Sequence, residues 1–398
     1  MEKPEEFDLS NVKADSEMGH ILEVNLRYPK ELHDSHSDYP YCIEQILVTD
    51  DMLSGYCATI SDKHKLHTET ASKLIASLGD KTNYVIHERN LKQALDAGLI
   101  LTKIHRVLQF KQKPWMKKYI DFNTEKRKLA KNDFEKDFFK LLNVSVYGKT
   151  LESVRKRQNI KLLSDEKLLN KYLSKPELIS RKIFNENLVA VHMVKEKIEL
   201  NKPIYVGFAI LDLSKWLMYD FHYGFIKPKY GSDAQLLFTD TDSLCYELKT
   251  EDFYRDMYDN RDWFDLSDMP EPFRDNANKK VLGKFKDETA GIPIKEFIGL
   301  RSKMYSIKKD DGEEKKTAKG IVRSVIRKAL NHETYKDILE SSGKMYSTMK
   351  SIRCQRHRIY TMEMTKVSLS AFDNKRWIID DGISSYPYGH YGIPIKSK

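Results

Sequence analysis

A chain of 398 residues is long enough for two or three domains or one large catalytic unit with insertions. Its 40% apolar and 11% aromatic residues exclude a disordered composition. The 68 basic residues outnumber the 59 acidic ones, leaving a net charge of +9, a mild excess compatible with a polyanionic partner. Cys42, Cys57, Cys245 and Cys354 are irregularly spaced with no CxxC pair, so neither a zinc site nor a disulfide framework is expected, and reduced thiols fit best. No stretch reaches the roughly 20 consecutive apolar residues of a membrane span. The Met1–Glu6 start is acidic and lacks the apolar segment of a signal peptide.

In chain order, Ile21–Leu26 reads as a strand ending at Tyr28-Pro29. Residues 45–110 are mixed, with helical runs expected near Ser72–Leu78 and Asn90–Leu99. Between Asn132 and Tyr147 the spacing predicts a helix capped by Asn132, with Phe134, Phe138, Leu141, Leu142 and Ser145 on one apolar face. Residues 151–200 are lysine-rich and irregular, as an insertion would be. A further helix is expected over Ile210–Tyr223. Leu236–Leu248 reads as a hairpin centred on Asp240-Thr241-Asp242, and a second hairpin turns at Asp310-Asp311-Gly312. From about 325 onward the chain reads as mostly helical. Helices mixed with antiparallel hairpins indicate the α+β class.

Three clusters of basic residues interleave with aromatics: Lys111, Lys113, Lys117 and Lys118 around Trp115; Arg155, Lys156, Arg157 and Lys161; and Lys308, Lys309, Lys315, Lys316 and Lys319. Singly, each would serve as a solvated face. Together they suggest a nucleic-acid track.

Chemistry concentrates in three short motifs. Asp240 and Asp242 flank one residue at a tight turn, where both carboxylates can project to one edge, as two Mg²⁺ ions in phosphoryl transfer require. A bare DxD is more often an Asx-turn, but two further motifs accompany this one. On the helix, Lys140, Val144 and Tyr147 fall at i, i+4 and i+7, a stripe suited to a triphosphate, its sugar and a base, or otherwise a solvated face. Lys303 and Tyr305 share one face of an expected strand, where a cation can meet a phosphate and a ring can pack on a sugar.

Together these resemble motif C (Phe238–Ser243), motif B (Lys140–Gly148) and the KxY motif of family B DNA polymerases. The runs Leu32–Asp34 to Asp38–Pro40, Phe122–Lys128, Gly283–Glu288 and Gly299–Ser306 resemble the protein-primed branch found in Polinton or Maverick transposons. The resemblance covers roughly residues 18 to 392. It implies a DNA-directed DNA polymerase of right-hand architecture: palm start with motif A over 1–44, a first terminal-protein-type insertion over 45–110, fingers over 111–150, a second insertion over 151–200, palm over 201–308 and thumb over 309–398. By the same resemblance Asp240 and Asp242 are catalytic metal ligands, Lys140, Val144 and Tyr147 line the nucleotide site, and Lys303, Tyr305 and Lys319 contact DNA. Mg²⁺ (or Mn²⁺), primed template, dNTPs and a terminal protein are the implied cofactor and partners, in the nucleus if the element is eukaryotic. The chain starts about 20 residues before motif A, so no upstream exonuclease domain is expected.

Two motifs depart from the family. Where motif A should carry an aspartate before Tyr-Pro, the run reads Glu23-Val24-Asn25-Leu26-Arg27-Tyr28-Pro29, with Asn25 at the expected position. An amide lacks the charge to hold divalent ions, so Glu23, on the same strand face, is the substitute ligand expected to join Asp240 and Asp242. A rival run, Asp34–Pro40, fits D-x-x-S-x-Y-P as written but follows no apolar strand. In motif B, Val144 replaces the family's asparagine. These losses leave a catalytically inactive DNA-binding relic as the alternative to an active polymerase.

Overall fold

The computed structural model describes residues 7–13, 16–66, 71–355 and 357–394. Its first sheet is antiparallel, with β1 (Met18–Arg27) at the centre. Between β1 and its partners the chain forms a small unit: β2 (Glu44–Ile46), helix α1 (Gly55–His64) and β3 (Lys73–Ile75), with β2 paired to β3. The helix expected at Ser72–Leu78 is therefore a short strand. Ile75, fully buried, and Leu74, exposed, alternate across the pleat, and so short an apolar run carries no decisive period.

The chain returns as β4 (Lys81–His87), helix α2 (Glu88–Asp96) and β5 (Ile100–Lys111), so β4 and β5 flank β1. Leu22, Val24 and Leu26 are fully buried and join Tyr28, Tyr39, Tyr41, Leu91 and Tyr219 in the main core. At roughly 25 cal/mol per Å² of apolar area removed from water, such side chains contribute about 1.5–3 kcal/mol each.

Helices α3 (Lys117–Lys128) and α4 (Asp133–Thr150) pack as a hairpin. Asn132 Oδ1 accepts from the Glu135 amide at 2.9 Å, the expected cap. The expected apolar face is packed only at Leu142, which is half-buried together with Phe139 and Val146, whereas Phe134, Phe138, Leu141 and Ser145 are exposed. Apolar residues occur around much of this helix, so periodicity alone could not choose the side facing α3.

Residues 151–200, expected to be irregular, fold as a three-stranded sheet. β6 (Asn159–Leu163) and β7 (Leu178–Asn185) flank β8 (Leu188–Met193), with helix α5 (Glu166–Leu173) packed against the sheet. Leu163, Val189, Val191 and Met193 form its separate core.

Helix α6 (Ile204–Asp220) passes into a wide π-type turn, Phe221–Ile226, and a short α7 (Lys227–Tyr230). The hairpin of β9 (Ala234–Thr239) and β10 (Leu244–Leu248) follows, then helix α8 (Phe253–Asp259). A three-stranded sheet comes next: β11 (Ile294–Arg301), β12 (Met304–Lys309) and β13 (Glu314–Ala318), with Gly312 at φ +84° in the expected turn. After helices α9 (Arg323–Ala329) and α10 (His332–Glu340), the region expected to stay helical is a long antiparallel hairpin, β14 (Lys344–Gln355) with β15 (Arg358–Ser370). Buried Ser347 and Met349 alternate with exposed Tyr346, Thr348 and Lys350 there, a period of two.

Candidate active site

The turn between β9 and β10 places Asp240 and Asp242 at an exposed apex. The Asp240 amide donates to the Ser243 carbonyl at 3.0 Å, and the Asp242 amide to the Asp240 carbonyl at 2.7 Å. Thr241 between them adopts φ +60°. A threonine in this left-handed conformation costs roughly 1–2 kcal/mol, a strain typical of functional turns. Buttressing comes from below, where Leu236 and Leu244 pack on the main core.

A second turn meets this apex. Lys303 is not on a strand, as expected, but at the bend between β11 and β12 with φ +59°. Its ammonium lies 3.1 Å from Asp240 Oδ1. On β12, the Tyr305 ring stacks on Phe238 at 4.5 Å between centroids, and Phe297 stacks on the same ring at 5.6 Å. The Lys319 amide donates to the Lys303 carbonyl at 3.0 Å, so the exposed Lys319 stands beside the bend. Thus Asp240, Lys303, Tyr305 and Lys319 come together although more than 60 residues separate the two turns in sequence. Paired ladders explain this: each hairpin is local, and the Phe238–Tyr305–Phe297 stack joins them.

The run assigned to motif A behaves differently. Because Leu22, Val24 and Leu26 face the core, Glu23 and Asn25 point to the opposite side of β1. There Glu23 Oε2 pairs with Arg106 Nε of β5 at 3.2 Å. Asn25 Oδ1 accepts from the Asn83 amide at 2.9 Å and lies 2.8 Å from His105 Nε2. The structure therefore does not bring Glu23 or Asn25 to the Asp240–Asp242 apex, whose hairpin packs on the other face of the strand.

Residues of the rival run do approach the hairpin. Tyr39 shares a hydrogen bond with the Thr239 side chain, and burial pushes its phenol up to about 12. Lys227 Nζ bridges Asp38 Oδ2 and the Ala234 carbonyl, both at 2.9 Å. Asp34 itself accepts from the Tyr391 hydroxyl at 2.6 Å. This run follows no apolar strand, so in the sequence only its unbroken match to D-x-x-S-x-Y-P marks it.

Lys140, Val144 and Tyr147 lie on α4 as a stripe, with Lys140 and Val144 exposed and Tyr147 half-buried. Asn143 turns toward α3, its amide 3.5 Å from Thr124 Oγ1. Among the described residues no hydrogen bond or ion pair joins this stripe to the apex.

The donor chemistry suits a hard cation in part. Two exposed carboxylates are what Mg²⁺ takes from a protein when substrate phosphates complete its shell. Among the described residues no group of three or more His, Cys, Asp or Glu could hold a metal ion. Asp240 and Asp242 thus fit as a pair, without Glu23.

The sequence profile of the family described as DNA polymerase type B, organellar and viral, matches residues 27–228. No curated protein matches the sequence. Among solved structures, the chain is similar to phi29 DNA polymerase complexed with primer-template DNA and incoming nucleotides, with TM-score 0.50 and 14% identity over 88% of this chain and 51% of that one. It is also similar to the phi29 binary complex with primer-template DNA, with TM-score 0.48 and 14% identity over 90% and 52% of the two chains. The chain spans about half the length of these polymerases.

Proposed function

Since its matched residues make up half the sequence, the chain belongs to the organellar and viral type B DNA polymerases, and we propose that it carries out DNA-directed nucleotidyl transfer from dNTPs to a primer end. The observation that carries this reading is the meeting of the Asp240–Asp242 turn with Lys303 and Tyr305. Asp240 and Asp242 would hold divalent cation, which when bound offsets phosphate charge and activates the attacking hydroxyl. Lys303 would hold a phosphate of the primer end, exchanging Asp240 for it, and Tyr305 would pack on the terminal sugar. Lys319 adds positive charge to the same edge. Lys140 and Tyr147 would steady the incoming triphosphate and its base from α4, with Val144 providing only an apolar contact. Positioning and charge stabilisation, rather than covalent chemistry, would supply the rate.

In this proposal the sheets around β1 and β9–β10 serve as palm, α3–α4 as fingers and the C-terminal region as thumb. A terminal-protein primer and a transposon origin of the Polinton type are proposed on the sequence runs alone. The orientation of Glu23 and Asn25 away from the apex favours a second reading, a DNA-binding relic without turnover. Primer extension by the purified chain with Mg²⁺ or Mn²⁺ separates the two, with an Asp240→Ala, Asp242→Ala double variant as the blank. Extension lost in the double variant supports the polymerase; salt-sensitive DNA binding without extension supports the relic.

A further inference from the structure

A cavity of about 610 Å³ lies elsewhere, between α2, the α6–π junction and the segment at Val12–Lys13. None of Asp240, Asp242, Lys140, Tyr147, Lys303 or Tyr305 lines it. Its volume falls within the roughly 300–1,000 Å³ of small-molecule sites.

One wall is aromatic. Trp216 and Tyr223 are only half-buried, and behind them Tyr41 and Tyr219 stack at 4.5 Å. The wide turn at Phe221–Ile226 shapes this wall, and such turns recur at functional sites. At Gly224 a Cβ would sit 3.1 Å from Asp220 Oδ1, so glycine leaves the carboxylate open to the cavity.

Its polar groups are acceptors deep in the wall and cations around it. Asp220 has no hydrogen-bond or ion-pair partner among the described residues. Gln93 Oε1 is buried and also lacks one, its amide nitrogen donating instead to the Trp216 carbonyl at 3.0 Å. Behind Gln93, an annex of about 20 Å³ reaches the unpartnered Oδ1 of Asn90, which is 8% exposed. Unpaired buried acceptors are costly, at roughly 1–3 kcal/mol each, and a ligand N–H would relieve that cost. Arg89, Lys92 and the exposed Lys13 supply positive charge, with Lys92 bonded to the Val12 carbonyl.

We propose that this cavity is a second nucleotide site, separate from the polymerase centre, for a guanine nucleoside triphosphate. The base stacks on the Trp216–Tyr223 wall. Its N1–H and 2-amino group donate to Asp220 and Gln93, and the phosphates meet Lys13, Arg89 and Lys92. A planar ring with two adjacent donors and a polyanionic tail matches this set; adenine offers only its 6-amino donor.

The test is equilibrium titration of GTP into the full chain carrying Asp240→Ala and Asp242→Ala, without DNA, so that the polymerase turn contributes nothing. One saturable site is expected, weakened about tenfold by Asp220→Asn or Trp216→Leu and severalfold by Lys13→Glu. ATP should bind about tenfold more weakly than GTP. Asp220→Asn should gain affinity for xanthosine triphosphate, whose 2-oxo group accepts where guanine donates; a purely structural role would not give this switch. Thermal melting of Lys13→Glu and Asp220→Asn controls for folding, and these two variants decide the question if Trp216→Leu does not fold. Absence of saturable binding, equal binding of inorganic tripolyphosphate, or indifference to Asp220→Asn would each overturn the assignment.

Discussion

The β9–β10 turn and strand β1 carry two motifs that the sequence assigns to one centre, yet they meet different fates. Asp240 at the turn meets Lys303, and Phe238 meets Tyr305. Glu23 and Asn25 on β1 instead meet Arg106, His105 and Asn83 of the flanking strands. The carboxylates of a tight turn can only project from its end, so their direction is set locally. A central strand has two faces, and the side that holds the chemistry is chosen by where the core lies. Here Leu22, Val24 and Leu26 claim the face toward the hairpin.

The sharpest way to break this comparison is to remove the turn carboxylates. The Asp240→Ala, Asp242→Ala variant should lose primer extension by about a thousandfold or more, measured as single-turnover rate. On the proposed role of Lys303 at the primer phosphate, Lys303→Ala should lower the same rate by roughly ten- to a hundredfold while leaving the melting temperature unchanged, because the side chain is exposed.

Acid should weaken both regions together. His36, packed among Tyr28, Tyr41 and Tyr223, His222, bonded to Tyr246 of the hairpin, and His87, at the end of β4, are held at about 4 chiefly by burial. Below the unfolded value near 6.5 the unfolded chain takes up protons that the native chain refuses. Stability should therefore be complete above that pH and be lost as pH falls toward 4, by about 2 kcal/mol for each imidazole at pH 5 in urea titrations.

Glu23→Gln should change extension by less than about threefold, since the Arg106 pair is a half-exposed contact of about 0–1 kcal/mol. A loss as deep as that of the double variant would break the comparison and return Glu23 to the metal site. Finally, Thr241→Gly should raise stability by about 0.5–1 kcal/mol in the same urea titrations, by relieving the left-handed backbone at the apex.

Much of the fold was legible wherever interactions are short in sequence. The β9–β10 hairpin, the turn before β13, the strand at Ile21–Leu26 and the Asn132 cap all depend on neighbours within a few residues. The β14–β15 hairpin and the sheet within 151–200 were not read as strands, because polar alternation in lysine-rich sequence leaves only a weak apolar period. Of the candidate site, the apex carboxylates and their KxY neighbours were named from residues alone, but Lys303 was put on a strand rather than at a bend.

Residue order by itself determined the α+β class and the two-aspartate turn, since each rests on local spacing and residue type, and its motifs carried the resemblance to type B polymerases. Only the tertiary structure decided which face of β1 is buried, which side of α4 meets α3, and that Tyr39, and Asp38 through Lys227, reach the β9–β10 hairpin while Glu23 and Asn25 do not. The reason is physical: an amphipathic period states that a strand or helix has a buried side, but the direction of that side is fixed by partners distant in the chain.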